Sequence, residues 1–325
     1  MKSISFLEKW LHRIISKQPL SSAGNNPEQD LIAEIEQILS ETKTKIPLVR
    51  NYRDTLKGPV LQALETIFAM ISQIPGPLKL DPDLWKNDPA LRTFFSGADE
   101  FTSWLAGCTN LHDAFARTQS AELFALLVGE HKEKTFFGVS ASGDIVSRDV
   151  LKRSVYFENP RLLTPAPDLV SARKMLQHRL ITVLFTRELE EITELKSVRE
   201  ELQKQQALLE FKLWGSFEKP SAVKEPADSE AEILLSDIDR EIGKIGNDLD
   251  TPEGHLAHVT QALTNLKNHL HISRFTLRLD SLGIRQKASS QEPFDEITLA
   301  ECTFTGAPRR AAIWIHVDRS ALRRP

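Results

Sequence analysis

DLVSARKMLQHRLITVLFTRELEEITELKSVREELQKQQALLEFKLW, residues 168–214, contains neither glycine nor proline. Nothing in it interrupts a helix, so it predicts one of about 45 residues, roughly 65–70 Å long at 1.5 Å per residue. Phe185, Leu189 and Ile192 follow one heptad seam. Leu195, Val198, Leu202 and Leu209 follow another, with Gln205 at a seam position. The short step from Ile192 to Leu195 joins the two as a stammer-like slip in register. Charged flanks (Glu188, Glu190, Glu194, Arg199, Glu200, Glu201, Lys204) complete a coiled-coil-like pattern.

Two pairings satisfy such a seam. One is an intermolecular coiled coil, which wants the pattern sustained over about three or four heptads. The other is a helical hairpin within the chain, its second arm drawn from EILLSDIDREIGKI (232–245) or the helix after it. The slip and Gln205 weaken the seam and favour the hairpin. In either case Leu195, Val198, Leu202 and Leu209 are the helix-pairing residues, and a homo-oligomer or a partner protein is the expected consequence of the intermolecular form.

Upstream of the long helix, ENPRLLTPAP (158–167) carries three prolines and reads as an irregular boundary. TFFGVS and DIVSRDV flank Ala141-Ser142-Gly143-Asp144 and predict a β-hairpin, which RSVYF (153–157) extends. Asn26, Pro27 and Gln29 mark the start of a helix with Leu31, Ile32, Ile35, Ile38 and Leu39 on one stripe. A second helix is expected over about 48–74, kinked or restarted at Pro59. Short helices in series follow, and Thr118 or Ser120 is expected to cap AELFALLV (121–128) as another. Trp85, Phe94, Phe95, Phe101, Trp104, Phe115 and Phe124 crowd this region and read as core. Together these features make 27–167 a helical domain with a β-hairpin, and 168–215 the long helix.

Downstream, 216–231 is rich in proline, serine and charge and reads as an acidic linker. Residues 232–325 then form a small α+β module. Leu256, Val259, Leu263, Leu266 and Leu270 give a helix its stripe. Three alternating runs, Phe275-Leu277-Leu279, Ile297-Leu299 and Ile313-Ile315-Val317, predict a three-stranded antiparallel sheet, with Thr305-Gly306-Ala307-Pro308 as a turn. The fold class is therefore mostly α, and α+β overall.

At the other end, MKSISFLEKWLHRIISK (1–17) puts Ile4, Leu7, Trp10, Leu11, Ile14 and Ile15 on one helical face. Lys2, Lys9 and Arg13 lie near the centre of the opposite face. A flexible tether, 18–26, follows. Leu7, Trp10, Leu11 and Ile14, with Lys9 and Arg13, are the expected anchoring residues, for a membrane interface, a partner's groove or the chain's own body. Glu8, Lys9 and Arg13 interrupt any signal-peptide core, and no apolar run of about 18 residues spans a bilayer.

Composition narrows the classes further. The 325 residues carry a net charge of −4, with 41% apolar and 26% charged residues, so there is no global pull toward nucleic acid. Two cysteines, Cys108 and Cys302, make no disulfide framework and suit a reducing, cytoplasmic compartment, at the inner face of a membrane if the N-terminal helix binds one.

Motifs of chemistry are scarce. His255 and His258 share a helix face, but His269 is fourteen residues on, roughly 21 Å along the axis, too far for one metal. Asp237, Asp239 and Glu241 begin like a Ca²⁺ loop, yet position six is Ile242 and helical periodicity explains the stretch. Gly138 and Ser140 match part of a nucleophile elbow in the wrong setting, and no phosphate-cradling glycine loop occurs. The arginines at 309, 310, 319, 323 and 324 lack aromatic partners for nucleic acid. No catalytic, cofactor or metal residue is assigned. The chain reads as a non-enzymatic interaction or scaffold protein. The alternative is a soluble ligand-binding or regulatory protein with its pocket in the aromatic-rich 85–124 region or the C-terminal sheet.

Overall fold

A computed structural model describes residues 27–142, 145–217, 226–246, 248–286 and 293–323. The expected N-terminal helix, its tether and the anchoring residues Leu7, Lys9, Trp10, Leu11, Arg13 and Ile14 lie outside the described residues, as does much of the acidic linker. The elements are, in order, α1 (Pro27–Thr42), α2 (Tyr52–Ile71), β1 (Leu78–Lys79), α3 (Pro89–Phe94), α4 (Ala98–Ala106) and α5 (Thr109–Arg117). After them come β2 (Glu122–Ser142), β3 (Ile145–Ala166), α6 (Leu169–Phe217), α7 (Pro226–Ile245), α8 (Pro252–Thr264) and a one-turn helix, α9 (Leu266–His269). β4 (Leu270–Leu279), β5 (Asp295–Phe304) and β6 (Arg310–Asp318) end the list. The chain is mixed α+β. Its described residues divide into two compact units, one of 63–180 with 265–323 and one of 27–62 with 181–264.

The first unit is built on a curled sheet of order β3-β2-β6-β5-β4, antiparallel throughout, with β1 parallel to β6. Here the expectation of a separate three-stranded C-terminal sheet is corrected. β6 lies along the whole of Glu122–Glu130 of β2, so the C-terminal strands and the hairpin form one sheet. β5 stays with β6 only over Arg310–Ala312; beyond that point β1 takes the vacated edge at Ile315 and His316. The AELFALLV stretch is corrected too. It is strand, not helix, because a continuous apolar run is what a strand buried on both faces needs. Leu123, Ala125 and Leu127 serve one face and Leu126 and Val128 the other, all buried.

β3 holds a further correction. The three-proline segment expected to be irregular remains in register with β2 as far as Ala166. Prolines survive in edge strands at bulges. Pro160 and Pro165 sit at two register shifts, each just after a residue of positive φ, Asn159 and Thr164. The sheet's edges approach where the Val155 amide donates to the Gly283 carbonyl (2.9 Å) and the Arg285 amide to that of Arg153 (2.8 Å).

Within the curl, Leu127, Phe157, Leu277, Leu299 and Ile313 pack with Leu91, Phe94, Phe95, Phe101 and Phe115 from α3, α4 and α5. Phe94 meets Phe157 at 4.7 Å between ring centres, and Phe95 meets Trp104 at the same distance. Gly129 allows this approach, since a Cβ there would lie 2.9 Å from both the Phe94 ring and the Phe157 Cβ.

The second unit is helical. α1 and the start of α2 run antiparallel, tied by Glu36 to the Tyr52 hydroxyl (2.6 Å) and Arg53 (2.7 Å), and by Glu28 to Lys57 (2.8 Å). α2 passes through Pro59 without restarting; its buried stripe of Leu56, Val60, Ala63 and Ile67 continues on both sides of the proline. α8 buries Leu256, Val259 and Leu263 but stops at Thr264, short of the predicted Leu270, which opens β4.

α6 begins where the sequence puts it. The Asp168 carboxylate accepts from the Ser171 amide (2.8 Å) and hydroxyl (2.6 Å), which holds the carboxyl below its usual range and caps the helix. Beyond Ile192, the less exposed residues of α6 are Lys196, which pairs with Asp250 (3.1 Å), and Leu195, Arg199, Leu202, Gln206, Leu209 and Leu213, the last six in regular alternation of three and four. Ala231, Leu235, Ile238, Ile242 and Ile245 of α7 repeat the pattern. Gln206 donates to Asp239 (2.8 Å) and Arg199 to the Gly246 carbonyl (3.1 Å), so α6 and α7 pair antiparallel as a helical hairpin within the chain. The coiled-coil detail is thereby corrected. There is no slip after Ile192, Val198 is 50% exposed and off the row, and Gln205 yields its place to Gln206. Arg199 takes the position given to Val198. Its apolar stem lies in the seam while its guanidinium reaches Gly246 and Asp250.

Candidate functional site

The far end of the hairpin has the clearest departure from soluble-helix patterning. Positions facing away from α7 before residue 205 are polar: Thr193, Glu194, Ser197, Glu200, Glu201 and Lys204. From 207 onward the same face reads Ala207, Leu208, Phe211 and Trp214. Leu208 is 63% exposed, Phe211 78% and Trp214 77%. The Gln206–Asp239 and Arg199–Gly246 contacts fix the register, each step forward along α6 matching one back along α7, so Phe211 is level with Leu234. Leu234 is 53% exposed and its neighbour Ile233 63%. Both arms therefore turn apolar side chains outward at the same level, on top of the inward row that joins them. A surface helix ordinarily keeps the face opposite its buried stripe polar.

Of the predicted pairing residues, Leu195, Leu202 and Leu209 come together in the seam and Val198 does not. Leu208, Phe211 and Trp214 escaped the sequence reading, although their signal was present: an apolar face opposite the seam, confined to two turns.

Elsewhere, the outer part of the β2–β3 ribbon exposes the cross-strand pair Phe137 and Leu151. His131, almost fully buried, lies 3.3 Å from Glu301 and 3.6 Å from Glu133, stacked on Phe275. Arg309 pairs with Glu301, and Arg153 and Arg285 with Glu133, so the group is a closed ionic network. Among the described residues one set of potential ligands, Glu122, His316 and Asp318, is close enough to share a metal ion. The Lys79 ammonium sits 2.9 Å from Asp318 and supplies the positive charge there. His255, His258 and His269 form no ligand set; His255 instead bonds the Leu249 carbonyl (3.0 Å), and burial lowers its pKa. Burial pushes the thiols of Cys108 and Cys302 up to about 12, so both are protonated at neutral pH. In the helical unit burial also lifts the Glu188 carboxyl to about 7, with Glu191 adding to the shift.

The first unit contains a cavity of about 600 Å³. Its walls come from Trp85 to Glu100, from Val155–Pro160 on the outer edge of β3, and from the ends of β4 and β5 around Leu279 and Ile297. No protein-family model, curated protein or solved structure matches the chain.

Proposed function

We propose that this is a non-enzymatic interaction protein whose copies join through the outer face of α6 at the hairpin end. The observation that carries the reading is the switch of that face from charged to apolar at Ala207. Two largely exposed aromatics, at 150–250 Å² for each whole side chain, with Leu208 give on the order of 400 Å² of apolar surface on that face. Exposed patches beyond a few hundred Å² mark interaction sites, and a stable interface buries about 800 Å² per partner.

A second copy is the occupant that the face fits. A two-fold axis needs one self-complementary patch, and an apolar row meets that need. Two hairpins stacked this way form a four-helix arrangement. The basic amphipathic segment 1–17 would be doubled in such an assembly, and avidity would turn its weak, reversible affinity for an anionic membrane surface into retention there. Among the described residues no helix is long and apolar enough to cross a membrane, so attachment would be peripheral.

Sedimentation equilibrium of the intact chain across a wide concentration range tests the reading. The expected result is a dimer that Phe211→Glu with Trp214→Glu converts to a monomer of unchanged helicity. A monomer at every concentration, or a dimer indifferent to both substitutions, would overturn it. Flotation with anionic vesicles, lost with the dimer and on deletion of residues 1–19, is the expected outcome for the membrane part.

A further inference from the structure

The cavity of the sheet-bearing unit has properties that the assembly reading does not use. At about 600 Å³ it has the size of sites that hold small organic molecules. Its apolar lining comes from Trp85, Phe94, Phe95 and Phe157, with Leu279 and Ile297. Its charge is one-sided. Four carboxylates line it, Glu100, Glu158, Asp280 and Asp295, against a single cation, Arg92.

That cation is already ion-paired, since Arg92 Nη2 donates to Asp295 at 2.5 Å, while its Nε is buried. Asp280 is committed as well: its two oxygens accept from the Leu282 and Ile284 amides and from Gln286. Glu100 and Glu158 differ. Glu100 uses Oε2 for both the Ser96 amide (2.8 Å) and the Ser96 hydroxyl (2.5 Å), leaving Oε1 outside those bonds. Glu158 is half exposed, with Lys132 no nearer than 3.9 Å. Two carboxylates beside aromatic surface in a recess make a negative site with quadrupoles of the same preference, which favours a cation with an apolar body.

We infer that this cavity binds a small organic cation, an ammonium group carried on an aromatic or branched aliphatic skeleton. The ammonium sits toward Glu100 and Glu158, and the skeleton lies against Trp85 and the phenylalanines behind it. Anionic analogues of the same shape are rejected, because no unmatched cation faces them.

Three probes of one shape and different charge test this on the intact chain by calorimetry: benzyltrimethylammonium, benzyl alcohol and phenylacetate. The cation is expected to bind saturably, the alcohol roughly tenfold more weakly and phenylacetate not at all. Glu100→Gln retains an acceptor for Ser96, and Glu158→Gln lies on an exposed strand edge, so both variants should fold. Each should weaken the cation several-fold and leave the alcohol unchanged, while Trp85→Phe should shift both. Equal binding of phenylacetate, cation binding indifferent to both glutamine variants, or no saturable binding of any probe would overturn the inference. Because the site and the hairpin end lie in different units, either test can fail while the other succeeds.

Discussion

One helix contains two opposite solutions to the same problem. Between Ile181 and Ile192, α6 is sheltered on most sides: Ile181, Leu184, Phe185 and Ile192 are buried, and even Glu188 is enclosed. Between Leu195 and Trp214 the described contacts are with α7, through one half-buried row, and with Gly246 and Asp250 just beyond it, and yet the outward face over the last two turns is apolar. The first region shows apolar residues already covered by the fold. The second shows apolar residues that the described chain leaves open, and that contrast, not hydrophobicity as such, is the ground for assigning an interface.

Phenylalanine at both places makes the contrast measurable. Phe185→Ala removes a fully buried ring and should cost about 3–5 kcal/mol in urea unfolding. Phe211→Ala, on the same helix, should change monomer stability by less than about 0.5 kcal/mol. Comparable losses from the two, measured below the dissociation concentration, would break the comparison.

Glu188 sharpens it through pH. Its native pKa near 7 stands above the unfolded value of about 4.3, so the folded state holds the extra proton. Stability attached to that proton is complete below about pH 4 and is lost as pH rises through 7. Glu188→Gln should accordingly stabilise the protein by up to about 3 kcal/mol at pH 8 and by almost nothing at pH 4, in paired denaturation curves. The carboxylates of the outer half, such as Glu200 and Glu201, are exposed.

A smaller effect is expected within the curl. Gly129→Ala drives a Cβ toward the Phe94 ring and should cost about 1–3 kcal/mol by thermal unfolding. Below Gly129→Ala comes Arg199→Ala. It removes the bonds to Gly246 and Asp250 at the base of the hairpin and should cost about 1 kcal/mol, seen as faster amide exchange confined to α7.

Local signals carried much of this architecture. Asp168 announced the start of α6, Leu31 to Leu39 the stripe of α1, and the alternation at 275–279, 297–299 and 313–317 the three last strands. What stayed hidden was long-range. Ala121–Val128 has the composition of a buried helix, and its pairing with β3 on one side and with β6, nearly 190 residues on, on the other makes it a strand. Pro160 and Pro165 resemble breakers until the bulges opposite β2 are known. Aliphatic residues are the expected seam formers, which points to Val198, whereas the acceptors of Arg199 at Gly246 and Asp250 decide the matter and lie 47 and 51 residues away. The candidate interface was legible in principle. Reading Ala207, Leu208, Phe211 and Trp214 as one outward face needs only the seam's true phase, and a seam placed one residue off conceals it.

The most direct test follows Trp214 itself. With 5-fluorotryptophan in place of tryptophan, the ¹⁹F resonance of Trp214, assigned through Trp214→Phe, is recorded as protein concentration rises. Trp314, fully buried in the sheet, serves as the internal reference. The account expects the Trp214 resonance to move and lose its solvent isotope shift on concentration while Trp314 stays fixed. A Trp214 signal that remains solvent-exposed at every concentration would contradict it.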